Sequence, residues 1–256
     1  MSADWEGWCI GGGEVRTSSY RDIRAFRALA SECEARRCRE IASAVASEAH
    51  LDFVAFLVNR REDFRTARRV AELLREERPE VCRVVLGPYI DLYGSVALAA
   101  DAVFDCGCAG DYELSLAALS EHIDRRDHWS SIPDILYRTS SGIQYTGRDG
   151  DMDLDFFAAP CYESAVYPAA HTAGKLRLFA LEHSRGLHHS GNYRPGEEEG
   201  IRPVRVRSAS GMCDEMEGLL RLFGARAYHV HGVSTPAAQV DVLSQEILSR
   251  RLKVRY

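Results

Sequence analysis

Short apolar runs alternate with amphipathic stretches along the first half of the chain. Residues 51–58 and 81–86 are almost continuously apolar, which is typical of parallel strands that are buried on both faces. Between these runs, residues 63–78 carry apolar side chains at helical spacing, from Phe64 to Leu74, and this spacing predicts an amphipathic helix. The stretch as a whole predicts a β-α-β unit.

The same alternation continues to about residue 123. The pattern predicts a short helix at 96–100, a third strand at 102–104 and an amphipathic helix at 112–123. One or two helices are predicted before the first strand, over residues 19–48. An order in which strands and helices alternate favours a parallel sheet with right-handed crossovers.

A different pattern begins near Pro133. Residues 135–137 and 143–145 are strand-like and flank a Ser-Ser-Gly turn at 140–142, which predicts a β-hairpin. Residues 147–174 are rich in turn formers and are predicted to cross between two lobes with little regular structure.

Alternation resumes in the last third of the chain. Thr235 followed by Pro236 is a strong helix start, because Thr is a good N-cap and Pro suits the first helical position. The predicted elements are, in order, a strand at 176–181, a loop at 183–207, a helix at 212–223 that Gly224 ends, a strand at 227–231, a helix from 235 to about 249 and a final strand at 252–256. The chain therefore carries a second, shorter β/α series.

Composition and charge exclude several classes of protein. The 256 residues carry a formal net charge of −6, so there is no overall basic field to attract nucleic acid or anionic lipid. No apolar run approaches the ~20 residues of a membrane span. The first eight residues lack the basic and apolar segments of a signal peptide, so we expect a cytoplasmic protein.

Eight cysteines are spread along the chain, and the one close pair is Cys106 and Cys108. A zinc site built from cysteines would need a second close pair. In a cytosolic chain the default is a reduced thiol that packs as a small hydrophobic side chain, and we expect this state here.

Seven segments, taken together in order and spacing, carry a family resemblance. Those in the first half are ELLREERPEVCRVVLGPY (72–89), CAGDYELSLAALSEHI (108–123) and the hairpin at 132–146. Those in the second half are LEHSRG (181–186), RSASGMCDEME (207–217), AYHVHGVST (227–235) and LKVRY (252–256). With these segments, residues 51–256 resemble the cobalamin-binding class of radical S-adenosylmethionine (SAM) proteins.

The resemblance implies an α/β fold in two lobes. A B12-type Rossmann-like parallel sheet, with an N-terminal helical extension, would occupy residues 1–146. A crossing linker would follow at 147–170, and a truncated radical-SAM-like β/α partial barrel at 171–256. Gly87 and Gly110 would then lie in loops of the corrinoid-binding type.

The sequence departs from the family at the iron–sulfur cluster. After the Ser-Arg-Gly tripeptide the family places three cysteines in the pattern C-x3-C-x2-C, and their thiolates hold a [4Fe–4S] cluster. The matching positions here are Leu187, Gly191 and Arg194, none of which offers a thiolate. We therefore expect no [4Fe–4S] cluster and no reductive cleavage of SAM by this chain.

The cobalamin side also departs from the family. The lower-ligand signature D-x-H-x-x-G is absent, although many members of the family lack it too. The expected Gly-Gly after the second strand is Gly87-Pro88, and proline removes a backbone donor. The sequence therefore leaves open whether cobalamin is a cofactor.

A histidine-rich group lies at the predicted strand ends. His229 and His231 are two apart on one strand and would share a face. Glu182 or His183 could approach them from the neighbouring strand, at the carboxyl ends where β/α barrels collect their active sites. Two histidines and a carboxylate are the facial triad of non-haem iron, so a metal site is one reading. The other is a polar cluster bonded to backbone and water.

These observations favour a catalytically degenerate relative of radical SAM enzymes. It would act as an accessory or binding subunit in a bacterial biosynthetic pathway. The alternative is a repurposed enzyme, with a His-rich metal site at the former cluster position or with non-radical, cobalamin-dependent group transfer. Because the barrel would be truncated, we expect its open edge to be covered by a homodimer or a partner protein, or by residues 1–50 as a lid. We expect no nucleic acid and no membrane among its partners.

Overall fold

The chain folds into two compact units. A computed structural model describes residues 22–148, 150, 152–172, 178–186, 203–232 and 237–256. The described part of unit 1 ends at residue 148, and that of unit 2 begins at residue 150. Among these residues, none of the helices is long and apolar enough to cross a membrane.

Unit 1 is a five-stranded sheet with helices. Its elements are α1 (Ile23–Ala46), β1 (Phe53–Leu57), α2 (Arg61–Glu77), β2 (Cys82–Leu86), α3 (Pro88–Ala100), β3 (Cys106–Cys108), α4 (Tyr112–Glu121), β4 (Ile135–Thr139) and β5 (Gly142–Tyr145). The strand order is β1-β2-β3-β4-β5. The first three strands are parallel, and the hairpin β4-β5 adds to β3 in the antiparallel sense. The predicted Rossmann-like parallel sheet and the predicted hairpin are both confirmed.

Side chains alternate between two hydrophobic clusters across the central strand β2. All five residues of β2 are buried. Val85 joins the cluster that contains Ile90 and Leu98 of α3. Its neighbours Val84 and Leu86 join the opposite cluster around Trp129. A strand buried on both faces is what the continuous apolar run predicted for β2.

The same prediction is wrong for β1. Ala55 and Leu57 are exposed, and Leu57 retains 54% of its accessible surface. The physical reason is position, because β1 lies at the end of the sheet order and pairs only with β2 among the described strands. On its covered side, Phe56 packs against Cys38 and Val70 of the two neighbouring helices.

Two predicted boundaries around the third strand are also wrong. The strand is not at 102–104 but at Cys106–Cys108, although Val103 and Phe104 are buried. The helix predicted at 96–100 begins much earlier, at Pro88, which occupies the first helical turn. The first error arises because Val103 and Phe104 are buried like strand residues but lie outside the hydrogen-bonded strand. The second arises because Pro88 starts the helix instead of ending the preceding strand in a loop.

Unit 2 is a smaller sheet covered by two helices. Its elements are β6 (Leu178–Arg185), β7 (Arg205–Val206), α5 (Ala209–Phe223), β8 (Ala227–Gly232) and α6 (Ala237–Ser249). The strand order is β7-β6-β8, with β6 and β8 parallel and β7 antiparallel. One hydrophobic cluster joins Phe179 and Leu181 of β6 to Met216 of α5 and Leu243 of α6. Within the described residues of unit 2 the sheet is open and forms no closed barrel.

Two further predictions for this unit need correction. The strand predicted at 176–181 extends to Arg185, so Glu182 and His183 lie in a strand rather than in a loop. The final strand predicted at 252–256 is reduced to one parallel bridge between Ala227 and Arg255. The predicted helix start at residues 235–236 lies outside the described residues.

Candidate functional site

Two glycine turns lie side by side at the carboxyl edge of the first sheet. Gly87 follows β2 and has φ of 104°, and Gly110 follows β3 and has φ of 65°. Because β2 and β3 are parallel neighbours, their carboxyl ends meet at the same edge. In open α/β sheets this edge is where ligands bind.

Gly87 is required by close packing of the backbone. A Cβ atom at this position would lie 2.7 Å from the carbonyl oxygen of Val58 and 2.8 Å from Cδ1 of Leu57. The next residue, Pro88, has no N–H group, and the N–H of Tyr89 donates to the carbonyl of Val58 at 3.1 Å. This turn is therefore fixed by internal contacts.

Gly110 is tied to the neighbouring helix. Its N–H donates to Oδ1 of Asp91, in the first turn of α3, at 2.8 Å. The rings of Tyr89 and Tyr93 lie nearby on the same helix, with centroids 5.1 Å apart, and Phe64 packs on Tyr89 at 5.2 Å. This edge of the sheet therefore carries a carboxylate and aromatic side chains, while the N–H groups of Tyr89 and Gly110 already have hydrogen-bond acceptors within the protein.

This chemistry bears on the cobalamin prediction. A phosphate site at a glycine turn depends on backbone N–H groups that point at the ligand, and here the N–H groups of Tyr89 and Gly110 have internal acceptors. A corrin ring is a broad plate edged with primary amides, whose carbonyl oxygens accept hydrogen bonds and whose N–H groups need acceptors, and its plane makes apolar contacts. Asp91 offers an acceptor and the Tyr89 ring an apolar surface, so the residues at this edge fit a corrin ring better than a free phosphate.

A second group of candidate residues lies on the sheet of unit 2. His229 and His231 are both exposed, and their rings are nearly parallel, with centroids 6.3 Å apart and planes 15° apart. In the parallel register between β6 and β8, Glu182 is the partner of His231 and Ala180 is the partner of His229. The structure therefore places Glu182 beside the histidine pair.

Arg185 holds the Glu182 carboxylate in an ion pair. Its Nε and one terminal nitrogen each lie 2.7 Å from Oε2 of Glu182. The same guanidinium lies over the ring of Phe157, 4.9 Å from the centroid. Arg185, a residue of the same strand, therefore balances the negative charge of the Glu182 carboxylate and fixes its orientation.

His183 occupies a different environment from the exposed pair. It lies at a β-bulge between Glu182 and Ser184 and keeps only 1% of its accessible surface. This burial lowers the pKa of His183, because desolvation disfavours the imidazolium. Bulges of this kind are common beside functional sites, where they turn a side chain away from the regular alternation.

The four predicted metal ligands do not converge as a set. Among the described residues, no group of three or more His, Cys, Asp or Glu side chains is placed to hold a metal ion. Leu187, Gly191 and Arg194, at the positions of the family's cluster ligands, lie outside the described residues. The predicted metal site as a whole stays a prediction.

The sequence reasoning missed a buried ion network behind this strand. Arg207 lies 2.6 Å from Oε2 of Glu215, whose side chain is 4% exposed, and 3.5 Å from Oδ1 of Asp155. The backbone N–H of Arg207 donates to the carbonyl of His183 at 2.9 Å, so the network supports the bulge. The signal was available, because Glu215 lies on the apolar face of a helix and therefore needs a buried cation.

Comparison with known proteins finds solved structures that share this fold. No protein-family profile and no curated protein matches the sequence. Solved structures that share the fold include cobalamin-dependent radical SAM enzymes. The match confirms, at the level of the fold, the resemblance and the α/β class that the sequence indicated.

Two such enzymes are the radical SAM methyltransferase TsrM from Kitasatospora setae and the cobalamin-dependent SAM radical enzyme OxsB. TsrM with tryptophan and a SAM analogue bound has a TM-score of 0.62 at 15% identity, and TsrM with cobalamin and a [4Fe–4S] cluster bound has 0.60. OxsB with aqua-cobalamin and SAM bound has a TM-score of 0.59 at 14% identity. These alignments cover 83% and 85% of this chain, but only 43% of TsrM and 31% of OxsB. The chain therefore spans less than half the length of either enzyme.

Proposed function

We propose that this chain is a catalytically degenerate relative of cobalamin-dependent radical SAM enzymes that binds a corrinoid in unit 1 and does not cleave SAM. It serves as an accessory or binding subunit in a bacterial biosynthetic pathway. The observation that carries this proposal is the set Leu187, Gly191 and Arg194, where three cluster thiolates would be needed. A chain without those thiolates has no electron source for the radical reaction.

Unit 1 supports the binding part of the proposal. Its fold is shared with enzymes solved with cobalamin bound. The turns at Gly87 and Gly110 present backbone without side chains at the edge where such a ligand binds. When bound, a corrinoid supplies a cobalt centre that can carry an alkyl group. The contribution of this chain is to hold the ring, through acceptors such as Asp91 and the aromatic surface of Tyr89.

Anaerobic reconstitution with iron and sulfide tests the loss of the cluster. We expect no acid-labile sulfide in the desalted protein and no cluster absorption band. Iron without sulfide would not count as a cluster. About four irons with matching sulfide per chain, the content of one [4Fe–4S] cluster, would overturn this part of the proposal.

Binding of hydroxocobalamin tests the corrinoid part. The full chain is mixed with the corrinoid and passed through a gel-filtration column, and the visible absorption of the protein peak is measured. We expect corrinoid to co-elute with the wild-type chain.

We expect Pro88→Gly, which restores a second glycine and a backbone donor at the turn, to bind more tightly than wild type. Gly142→Ala, in the distant hairpin turn, is the matched control and keeps wild-type binding. Absence of corrinoid from both the wild-type and the Pro88→Gly peaks would overturn the proposal.

The accessory role predicts a binding partner. On the outer side of β8, Ala227 alone bridges to another described residue, Arg255, so within the described residues the backbone from His229 to Gly232 pairs only with β6. Open strand edges favour pairing with another chain. We expect sedimentation of the purified protein to show a homodimer, or a complex once a partner is supplied. A well-folded monomer that no partner alters would contradict the accessory role.

A further inference from the structure

We infer that His229 and His231 form a two-imidazole binding site for a divalent transition metal on the exposed face of the sheet in unit 2. The inference is independent of the corrinoid proposal, because it concerns the other unit and a different ligand. It also differs from the predicted four-residue site, because it assigns only the two histidines as protein ligands.

The strand geometry supports chelation by this pair. Residues two apart on a strand point to the same side, and both imidazoles are exposed and nearly parallel. Neither ring has a hydrogen bond to another described residue, so rotation of either ring about its side-chain bonds breaks no hydrogen bond within the described part of the chain. Two nitrogens that share one tetrahedral or square-planar ion at ~2.0–2.1 Å lie about 3 Å apart. Rotation of rings whose centroids are now 6.3 Å apart can bring one nitrogen of each to that spacing.

The chemistry of the donors selects the class of metal. Neutral imidazole suits copper, nickel and zinc, while magnesium and calcium prefer oxygen ligands. For two nitrogen donors and water the affinity follows the usual order for divalent metals, with copper(II) the tightest. The site would therefore bind copper(II) more tightly than nickel(II) or zinc(II).

The ion pair beside the site explains why it has two protein ligands and not three. Glu182 is the register partner of His231, so its carboxylate lies within the same part of the face. Both contacts of the Arg185 guanidinium go to Oε2 of Glu182, so this cation balances the charge of the carboxylate and weakens its attraction for a metal ion. Consistent with this, no three-ligand arrangement is found in the part of the chain that the structure describes.

A second histidine pair provides a matched control. The rings of His122 and His128 in unit 1 are also stacked, with centroids 5.3 Å apart. There, however, the Nδ1 atom of His122 already lies 2.7 Å from a terminal nitrogen of Arg125. Substitution of His122 and His128 removes as many histidines as substitution of His229 and His231, but it leaves the proposed site intact.

Calorimetric titration of the metal-free full chain with copper(II) and with zinc(II) tests the site. We expect one site per chain that weakens at least tenfold in His229→Gln and in His231→Gln. The double variant His122→Gln/His128→Gln keeps the wild-type affinity. Electron paramagnetic resonance of the copper(II) complex should show coupling to two nitrogens in wild type and to fewer in each single variant. Unchanged binding in His229→Gln/His231→Gln would overturn the inference, as would equal loss in the control variant.

A second test removes the cation that pairs with Glu182 and is expected to strengthen metal binding. In Arg185→Gln the carboxylate loses its cation and becomes available as a third ligand. We expect zinc(II) to bind at least tenfold more tightly to this variant than to wild type. Glu182→Gln/Arg185→Gln should return to the wild-type affinity. Weaker zinc binding in Arg185→Gln than in wild type, with circular dichroism unchanged, would place the metal elsewhere.

Discussion

Gly87 shows how a single residue fixes the candidate ligand edge of unit 1. Its φ of 104° lies in the region that favours glycine, and a side chain there would also strike the carbonyl of Val58. The glycine is thus needed for two reasons, conformation and space. A second glycine, Gly142, has a similar φ of 123° but no atom within 4 Å of the place where a Cβ would lie.

This pair of glycines gives the first prediction. Gly142→Ala should lower the free energy of unfolding by about 1–3 kcal/mol, the typical cost of a residue held in an unfavourable backbone region. Gly87→Ala should lower it by clearly more, because the backbone of Val58 must also move. Urea denaturation of the two variants beside wild type measures the difference. Equal costs in the two variants would show that the contact with Val58 is unimportant.

Buried thiols give the second prediction, at the same scale. Burial, together with the neighbouring Cys82 and Asp134 acting in the same sense, raises the pKa of Cys108 to about 12. The hydrogen bond with Cys82, together with burial, also raises the pKa of Cys106 well above its usual value. Between pH 9 and 12 the unfolded chain therefore loses these protons while the folded chain keeps them.

The folded state then binds more protons than the unfolded state, so the free energy of unfolding falls as pH rises from 9 towards 12. We expect the urea midpoint to decrease steadily over this range, and to decrease less steeply in Cys108→Ala. The midpoints are followed by tryptophan fluorescence. A flat profile from pH 8 to 11 in the wild-type chain would contradict the assignment of these thiols as buried and protonated.

At the scale of elements, Arg207, which directly follows β7, links α5 to the bulged strand β6. Its guanidinium pairs with Glu215 of α5, and its backbone N–H donates to the carbonyl of His183 in β6. The side chains of Arg207 and Glu215 are 12% and 4% exposed, so both are largely removed from bulk water. Removing one partner leaves an uncompensated buried charge, which is costly, while replacing both with apolar groups is far less so.

The third prediction follows from this asymmetry. Arg207→Met should lower the free energy of unfolding of unit 2 by about 3–5 kcal/mol. Arg207→Met/Glu215→Leu should recover a large part of that loss. Urea denaturation followed by circular dichroism measures both, with Arg226→Met, an exposed arginine of the same unit, as the control. A double variant as unstable as the single one would show that Arg207 acts through its contacts with Asp155 and the backbone instead.

Element by element, the sequence predicted strands and helices well where one physical signal dominated. The central strand Cys82–Leu86 and the amphipathic helix Arg61–Glu77 were predicted to within a few residues, because burial and helical spacing agreed. The strand Cys106–Cys108 was misplaced, since its Cys-Gly-Cys sequence has weak strand preference beside the more apolar Val103 and Phe104. The polar end of β6 was read as a loop, because a strand end that carries Glu182 and Arg185 lacks the apolar alternation on which the prediction relied.

For the candidate site, the sequence could place residues but not their partners. The shared face of His229 and His231 and the proximity of Glu182 both follow from strand periodicity and pairing, and the structure has both. Two features could not be read from the pattern: the pairing of Glu182 with Arg185, and the bulge that buries His183. Both depend on side-chain directions and register shifts that one sequence does not specify.

At the scale of the whole molecule, each unit has its own hydrophobic core. The three tryptophans are at positions 5, 8 and 129, so the described part of unit 2 contains none. In the background Trp5→Phe/Trp8→Phe, Trp129 of unit 1 is the remaining tryptophan, so its fluorescence reports on unit 1, whereas circular dichroism reports on helices in both units.

This distribution gives the fourth prediction. Arg207→Met should move the part of the circular dichroism transition that belongs to unit 2 to lower urea concentration. The fluorescence transition of the Trp5→Phe/Trp8→Phe background should keep its midpoint. Gly87→Ala should do the reverse and lower the fluorescence midpoint. Coincident shifts of both signals in both variants would mean that the units unfold as a single cooperative body.

The first helix has a consequence for the exchange of backbone amide hydrogens with solvent. Of the 24 residues in Ile23–Ala46, only Cys33, Cys38 and Ala42 are buried. Its carboxyl end is held by Arg78, whose guanidinium donates to the carbonyl of Ala46 at 2.9 Å. A helix held by so little buried surface opens at a lower free energy than the strands of the sheet, so its amides should take up deuterium as a group long before those of Cys82–Leu86. Arg78→Ala should hasten that uptake in the last turn of the helix while the central strand keeps its protection.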